Sequence, residues 1–230
     1  MKHLFDKKAD SYDEWYRTTA GRFVDRIEKE AVFSYLEPQA GMSVLDIGCG
    51  TGNYSLALAG KGLKVTGVDI SQAMLDRACS KAAAEGLEVK FLQADARQLP
   101  FPDNCFDGVI SVSALEFLPD LAAALREAYR VLKPGGRLVV GIIGRDSDWG
   151  RYYAEKARRD SKSIFGRARL YTLEELRGTM PGTSIRARAV LFTPPDFDYG
   201  LEQEALALES AAISARRTDG GFVCAVSVKQ

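Results

Sequence analysis

Apolar residues along this chain follow two periods, one of strands and one of helices. Short apolar runs at 43–47, 63–69, 88–93, 108–112 and 137–143 read as buried strands. Helical spacing fills the gaps between them. From Arg22 to Leu36, the residues Phe23, Ile27, Ala31 and Phe33 to Leu36 share one face, and Pro38 and Gly41 end that element. Further helices are predicted at about 52–60, at 72–85 behind a Ser71 cap, and at 120–132. Lys133-Pro134-Gly135-Gly136 breaks the last of these. Strands alternating with helices imply an α/β fold with a parallel sheet and right-handed crossovers. The alternation lapses after 143. Residues 145–170, rich in arginine and aromatics, read as a helical insertion, and Thr172 caps a short helix over Leu173–Gly178. A strand at 184–193, a helix at 201–216 and a strand at 221–228 suggest an antiparallel pair closing one sheet edge.

The first strand leads into Asp46-Ile47-Gly48-Cys49-Gly50-Thr51-Gly52. Glycine at alternate positions lets the backbone turn tightly and lets a ligand approach the main chain. The second strand ends in Asp69, where an acid can hold the hydroxyls of a nucleotide ribose. Together the two features point to a nucleoside-bearing cofactor.

Composition narrows the chemistry. The chain has 230 residues, 46% hydrophobic and 27% charged, an ordinary globular balance. Its 31 basic and 31 acidic residues cancel, so charge gives no case for a nucleic-acid partner. The four cysteines, Cys49, Cys79, Cys105 and Cys224, form no CxxC pair and read as reduced thiols of a cytoplasmic protein. The N-terminus lacks the apolar stretch of a signal peptide, and no apolar run reaches membrane-spanning length. The single histidine, His3, sits near the terminus, which argues against histidine general-base schemes and histidine-rich metal sites. No metal site is expected. Oligomerisation is left open.

Four blocks in order resemble the class I S-adenosylmethionine-dependent methyltransferases, most closely the small-molecule branch of ubiquinone and menaquinone biosynthesis. They are Val44–Gly52, Val65–Ser71, Gln93–Ala96 continuing through Leu99–Asp107, and Glu127–Arg137. Phe5-Asp6, Tyr12-Asp13, Trp15-Tyr16 and Ala168–Thr172 resemble the same branch more weakly. The resemblance implies a Rossmann-like, seven-stranded, mostly parallel sheet with helices on both faces and the last strand antiparallel. Within one methyltransferase domain over 1–230 it implies a helical cap (1–36), a cofactor-binding core (40–143), an insertion or lid (145–170) and a C-terminal sheet edge (171–230).

The same resemblance assigns roles. Gly48, Gly50 and Gly52 would pass under the methionine part of S-adenosylmethionine, with Cys49 and Asn53 on the same loop in contact with it. Asp46 would face the cofactor's ammonium, and Asp69 would accept from both ribose hydroxyls. Ile70 and Met74 would pack on the adenine, although Met74 fits the core equally well. Asp95 would accept from the adenine amino group and the Ala96 amide would donate to the ring. Ser111 would stand near the methionine amine or be a partly buried hydroxyl. Tyr12 and Tyr16, with Trp15, would fold over the cofactor or line the acceptor pocket. Glu116 is the candidate catalytic residue. It could act as a general base, bind a cationic acceptor, or be only a charge in the first turn of a helix. Arg151, Arg158, Arg159, Arg167 and Arg169 would form a lid for an anionic substrate or a solvated face.

The function expected is methyl transfer from S-adenosylmethionine to a small-molecule acceptor, leaving S-adenosylhomocysteine. One rival is a nicotinamide-dependent oxidoreductase, since Tyr152 and Lys156 have the Tyr-x-x-x-Lys spacing of short-chain dehydrogenases, although the loop here lacks that family's pattern. The other is a non-catalytic protein that binds the same cofactor.

Overall fold

Alternating hydrophobicity and helical spacing resolve into seven strands and eight helices among the residues that a computed structural model describes, 5, 6, 9 and 12–230. His3 lies outside them. The helices are α1 (Glu14–Arg17), α2 (Thr19–Leu36), α3 (Asn53–Ala59), α4 (Gln72–Glu85), α5 (Leu121–Val131), α6 (Asp148–Arg159), α7 (Leu173–Thr179) and α8 (Glu202–Ser214). The strands are β1 (Ser43–Ile47), β2 (Lys64–Asp69), β3 (Val89–Gln93), β4 (Phe106–Val112), β5 (Leu132–Ile143), β6 (Ile185–Val190) and β7 (Phe222–Val228).

The strands form one sheet in the order β3-β2-β1-β4-β5-β7-β6. β1 to β5 pair in parallel, and β7 runs antiparallel between β5 and β6. The antiparallel edge expected from the sequence is therefore present, with the last strand inserted inside it. Side chains alternate across the sheet. Leu45, Val109 and Leu138 face the cluster shared with α5 and α7, and Val44, Ile110 and Val139 face the one shared with α2. Burial on both faces explains why these strands read as nearly continuous apolar runs.

Local chemistry sets the boundaries. α2 starts at Thr19 rather than Arg22 because the Thr18 side chain accepts from the Gly21 amide. It stops at Glu37, whose φ of 52° precedes Pro38. Ser71 caps α4 by accepting from the Met74 amide at 3.3 Å, and Thr172 forms a capping box with Glu175 on α7. β5 begins earlier than expected. Leu132 pairs with Phe106, the ladder shifts register, and pairing resumes at Arg137 with Gly108. The intervening Gly135 (φ 80°) donates to the Lys229 carbonyl, so the break expected at Pro134 is a loop inside the strand. Among the described residues no helix is long and apolar enough to cross a membrane.

Candidate active site

The ends of β1, β2 and β3 lie side by side, and between β1 and β4 the strand order reverses. Such a reversal leaves a crevice beyond the strand tips, where open α/β sheets hold their ligands. The glycine loop is laid across this crevice. The Gly48 and Cys49 amides both donate to the Val68 carbonyl, at 2.8 and 3.0 Å. Gly48, Gly50 and Gly52 have φ values of 71°, 53° and 82°, the left-handed region that a side chain strains. A Cβ on Gly48 would come within 2.4 Å of Ala114, whereas one on Gly50 would meet nothing within 4 Å. Gly50 therefore opens on free space at the crevice.

That space is a cleft of about 230 Å³. Asp69 forms one wall. Its Oδ2 accepts from the Gly50 amide at 2.9 Å and its Oδ1 from the Ser71 amide at 2.8 Å, which fixes the carboxylate plane. A carboxylate has about four lone-pair sites and can accept from several donors at once. Ile70, 41% exposed although apolar, stands at the rim, and buried Met74 also reaches the lining. Asp95 and Ala96 line the far end beyond β3. Arg97 grips the Asp95 carboxylate at 2.6 Å and holds it below the usual carboxylate range. The opposite wall is apolar: Ala114, Leu115, Phe117 and Leu118.

Phe5, Asp6, Tyr12 and Asp13 lie over or beside this cleft. Asp6 accepts from the Ser71 hydroxyl at 2.6 Å, and the Phe5 ring packs edge-on against Phe117 at 5.0 Å. Asp13 accepts from the Thr51 hydroxyl at 2.7 Å and the Asn53 amide at 3.3 Å, and Lys81 pairs with it at 3.0 Å. Tyr12, between these two anchors, lines the cleft, and burial pushes its hydroxyl up to about 12.

Of the proposed cofactor contacts, Tyr12, Gly48, Gly50, Asp69, Ile70, Met74, Asp95 and Ala96 converge on the cleft. The others do not line it. Asp46 is buried beneath the loop and accepts from the Ser55 hydroxyl at 2.6 Å, with burial raising its carboxyl to about 7. Ser111 is buried and donates to the Ile47 carbonyl at 2.7 Å. The Cys49 thiol packs against Gly67, and burial raises it well above its ordinary value. The Asn53 side chain is taken up by Asp13 and Lys81. Tyr16 stands on a different cavity.

That second chamber, of about 760 Å³, shares Tyr12 and Ser113 with the cleft. Rings of Trp15, Tyr16, Trp149, Tyr152, Tyr153 and Phe165 line it, with Tyr153 stacked on Phe165 at 4.1 Å. Glu28 of α2 reaches in as well. Burial, reinforced by Asp25 and Glu116, pushes its carboxyl up to about 8. Sequence reasoning missed Glu28, since a glutamate next to Ile27 on an amphipathic helix carries no signal of its own.

Glu116 is not a solvated helix charge. It sits in a single 3-10 turn, Leu115–Phe117, with 1% of its surface exposed. Among the described residues neither carboxylate oxygen makes a hydrogen bond of ordinary geometry, and burial, partly offset by the nearby Glu116 and Ile143 amides, raises the group to about 7. Its charge bears on both Tyr12 and Glu28, so it lies near both cavities. Ser113, just before this turn, has a strained φ of 49°. Two of the five arginines expected to form a basic lid are paired with acids. Arg151 pairs with Asp148 and Arg159 with Glu155, and Arg169 stacks on Tyr171 at 4.9 Å. Tyr152 and Lys156 lie one helical turn apart with the ammonium 5.9 Å over the ring.

Residues 45–140 match the family described as a methyltransferase domain. A demethylmenaquinone methyltransferase of Thermus thermophilus is 43% identical over 139 residues, which is 60% of this chain and 63% of that relative. The chain thus spans less than two thirds of that relative's length. A crystal structure from Thermotoga maritima, of an S-adenosylmethionine-dependent methyltransferase described as a possible histamine N-methyltransferase, is similar over 99% of both chains (TM-score 0.77, 28% identity). Haemonchus contortus phosphoethanolamine N-methyltransferase 2, solved with S-adenosyl-L-methionine, shares the fold at 20% identity (TM-score 0.62, 96% of this chain and 59% of that one). The glycine loop under an open cleft and the acid at the tip of β2 fit the cofactor these proteins are named for, and residues 45–140 of the chain belong to the methyltransferase-domain family.

Proposed function

We propose that this protein methylates a small molecule that reaches the second chamber while S-adenosylmethionine occupies the cleft. The observation that carries this reading is the join between the two cavities at Tyr12 and Ser113. A donor in one and an acceptor in the other would meet there.

The residues that would hold the cofactor are Asp69 at the ribose, Ile70 and Met74 at the adenine face, Asp95 and Ala96 at its edge, and Gly48 and Gly50 beneath the methionine part. Asp46, Cys49, Asn53 and Ser111 support that loop and strand from below or behind rather than from the cleft. When bound, the cofactor supplies an activated methyl group on a sulfonium, so the protein's task is alignment and exclusion of water. Phe5, Tyr12, Leu115 and Phe117 serve that exclusion. Tyr16 belongs with the acceptor. Glu116 is the proposed proton acceptor, since a carboxyl poised near neutral pH can take a proton there and release it again. The four cysteines are all free thiols, which suits a reducing, cytoplasmic setting.

The test is to incubate the protein with a small-molecule extract and methyl-labelled S-adenosylmethionine and follow the label by mass spectrometry. The label is expected in a small-molecule product. Label confined to the donor, with S-adenosylhomocysteine still bound tightly, would leave a cofactor-binding protein without turnover and overturn the proposal.

A further inference from the structure

Three features of the second chamber limit what can lie in it. Its wall is aromatic on several sides, from Trp15 and Tyr16 at one end to Trp149, Tyr153 and Phe165 at the other. Its charge is acidic. Glu28, Asp148, Glu155, Asp160 and Asp196 line it against Arg151 and Lys156; Asp148 pairs with Arg151 and Glu155 with Arg159, which leaves Glu28, Asp160 and Asp196 against Lys156. Glu28 has no salt bridge among the described residues; Lys29, which acts on it from the next position, is paired with Asp25. A carboxyl buried beside a cavity of about 760 Å³ stays protonated while nothing positive stands against it, and ionises at lower pH when a cation does.

An anionic acceptor would be repelled by the unpaired acids of the wall. A neutral one would meet a protonated Glu28 and gain no ion pair. A cation draws Glu28 into its carboxylate form, pairs with it and gains from the ring faces, which attract positive charge. The wall already shows this behaviour. The Lys156 ammonium lies 5.9 Å over the rings of both Tyr152 and Phe165. Tyr152 is 46% exposed, so that ammonium sits on the outer side of the chamber, while Glu28 belongs to the helix that packs on the sheet.

We infer that the acceptor is an organic amine, bound as its ammonium ion against Glu28 and caged by the aromatic wall. This rests on the methyltransferase reading above and narrows it to transfer onto nitrogen. The step balances with one proton released. The ammonium gives a proton to a chamber carboxylate, the freed lone pair forms the bond to the methyl carbon, the carbon–sulfur bond breaks, and its electron pair stays on sulfur as a neutral thioether. The product leaves as a methylated ammonium.

Calorimetric titration tests this with matched probes: tryptamine, phenethylamine and hexylamine, their hydroxyl counterparts tryptophol, phenethyl alcohol and hexanol, and the anions indole-3-acetate, phenylacetate and hexanoate. At least one amine is expected to bind about ten-fold or more tightly than its alcohol, with the anion weakest, from charge-assisted and cation–ring contacts. Glu28→Gln is expected to remove most of that margin while leaving the alcohol's affinity unchanged. The wild-type comparison stands even if the variant fails to fold. No amine preferred over its alcohol, or a preference that survives intact in a folded Glu28→Gln protein, overturns the inference. S-adenosylhomocysteine is titrated in parallel. If it binds and no amine is preferred, the methyltransferase reading survives and only the amine falls; if it fails to bind, the cofactor reading falls as well.

Discussion

The two cavities share Tyr12 and Ser113 but are built in opposite ways. The cleft is made largely from residues at strand tips and the loops that follow them. Its lining comes from short consecutive stretches at strand tips, 47–50, 68–74, 94–96 and 113–118, with Phe5 and Tyr12 laid over them. The second chamber is made from side chains on α1, α2, α6 and the loops before β7, scattered from Tyr12 to Gly221. A site built on strand tips and turns constrains residue type at fixed spacing, because only glycine tolerates the turns. A site built from side chains on separate helices constrains only volume and charge. The first can keep one ligand while the second changes.

Glu116 stands near both cavities, and its replacement has the largest expected effect. Its folded carboxyl is raised from an ordinary value of 4.5 to about 7, so its favourable contribution is complete below pH 4.5 and is lost as the pH rises through 7. Glu116→Gln should therefore be more stable than the wild type by about 3 kcal/mol at pH 8 and nearly equal to it at pH 4.5, read by thermal melts across that range. A constant difference at all pH values would show that the carboxyl is not held neutral by burial, and would detach it from the acceptor side.

Gly50→Val separates the cavities. A branched side chain at φ 53° is strained by about 1–2 kcal/mol, and its methyls would enter the space now open before Gly50. Affinity for S-adenosylhomocysteine should fall by at least about ten-fold, while amine binding in the second chamber stays as it was. Equal loss of both would mean the two sites are one. A smaller effect is expected for Asp13→Ala. It removes the partly exposed clasp to Thr51, Asn53 and Lys81 and should weaken cofactor binding about five-fold, roughly 1 kcal/mol. Unchanged affinity would show that this clasp only decorates the cleft.

The same contrast explains what could be read from the sequence. The strand pattern gave β1 to β4 closely: β1, β2 and β4 carry runs of buried apolar positions, whereas β3 is an edge strand with no buried residue, read from its short apolar run alone. Gly48, Gly50, Asp69 and Asp95 were legible because spacing and residue type are fixed by turns and strand ends. Asp46 and Ser111 have the right residue types, but hydrogen bonds to Ser55 and Ile47 hold them away from the cleft, and no sequence pattern shows which way a side chain turns. Glu28 was invisible, since its meaning comes from α6 and residue 165, more than a hundred positions away. Arg151 and Arg159 of α6 pair with Asp148 and Glu155 one turn along, which fits the solvated face that the sequence allowed beside an anion-binding lid.

The central claim is that the carboxylate at the tip of β2 holds the adenosyl cofactor in the cleft. Its most direct test is calorimetric titration of S-adenosylhomocysteine, with NAD as the competitor, into the wild type and Asp69→Ala. S-adenosylhomocysteine should bind the wild type, NAD should not displace it, and loss of the charge-assisted ribose contacts in Asp69→Ala should cost about 100-fold in affinity. An affinity unchanged in a folded Asp69→Ala protein, or displacement by NAD, would contradict it.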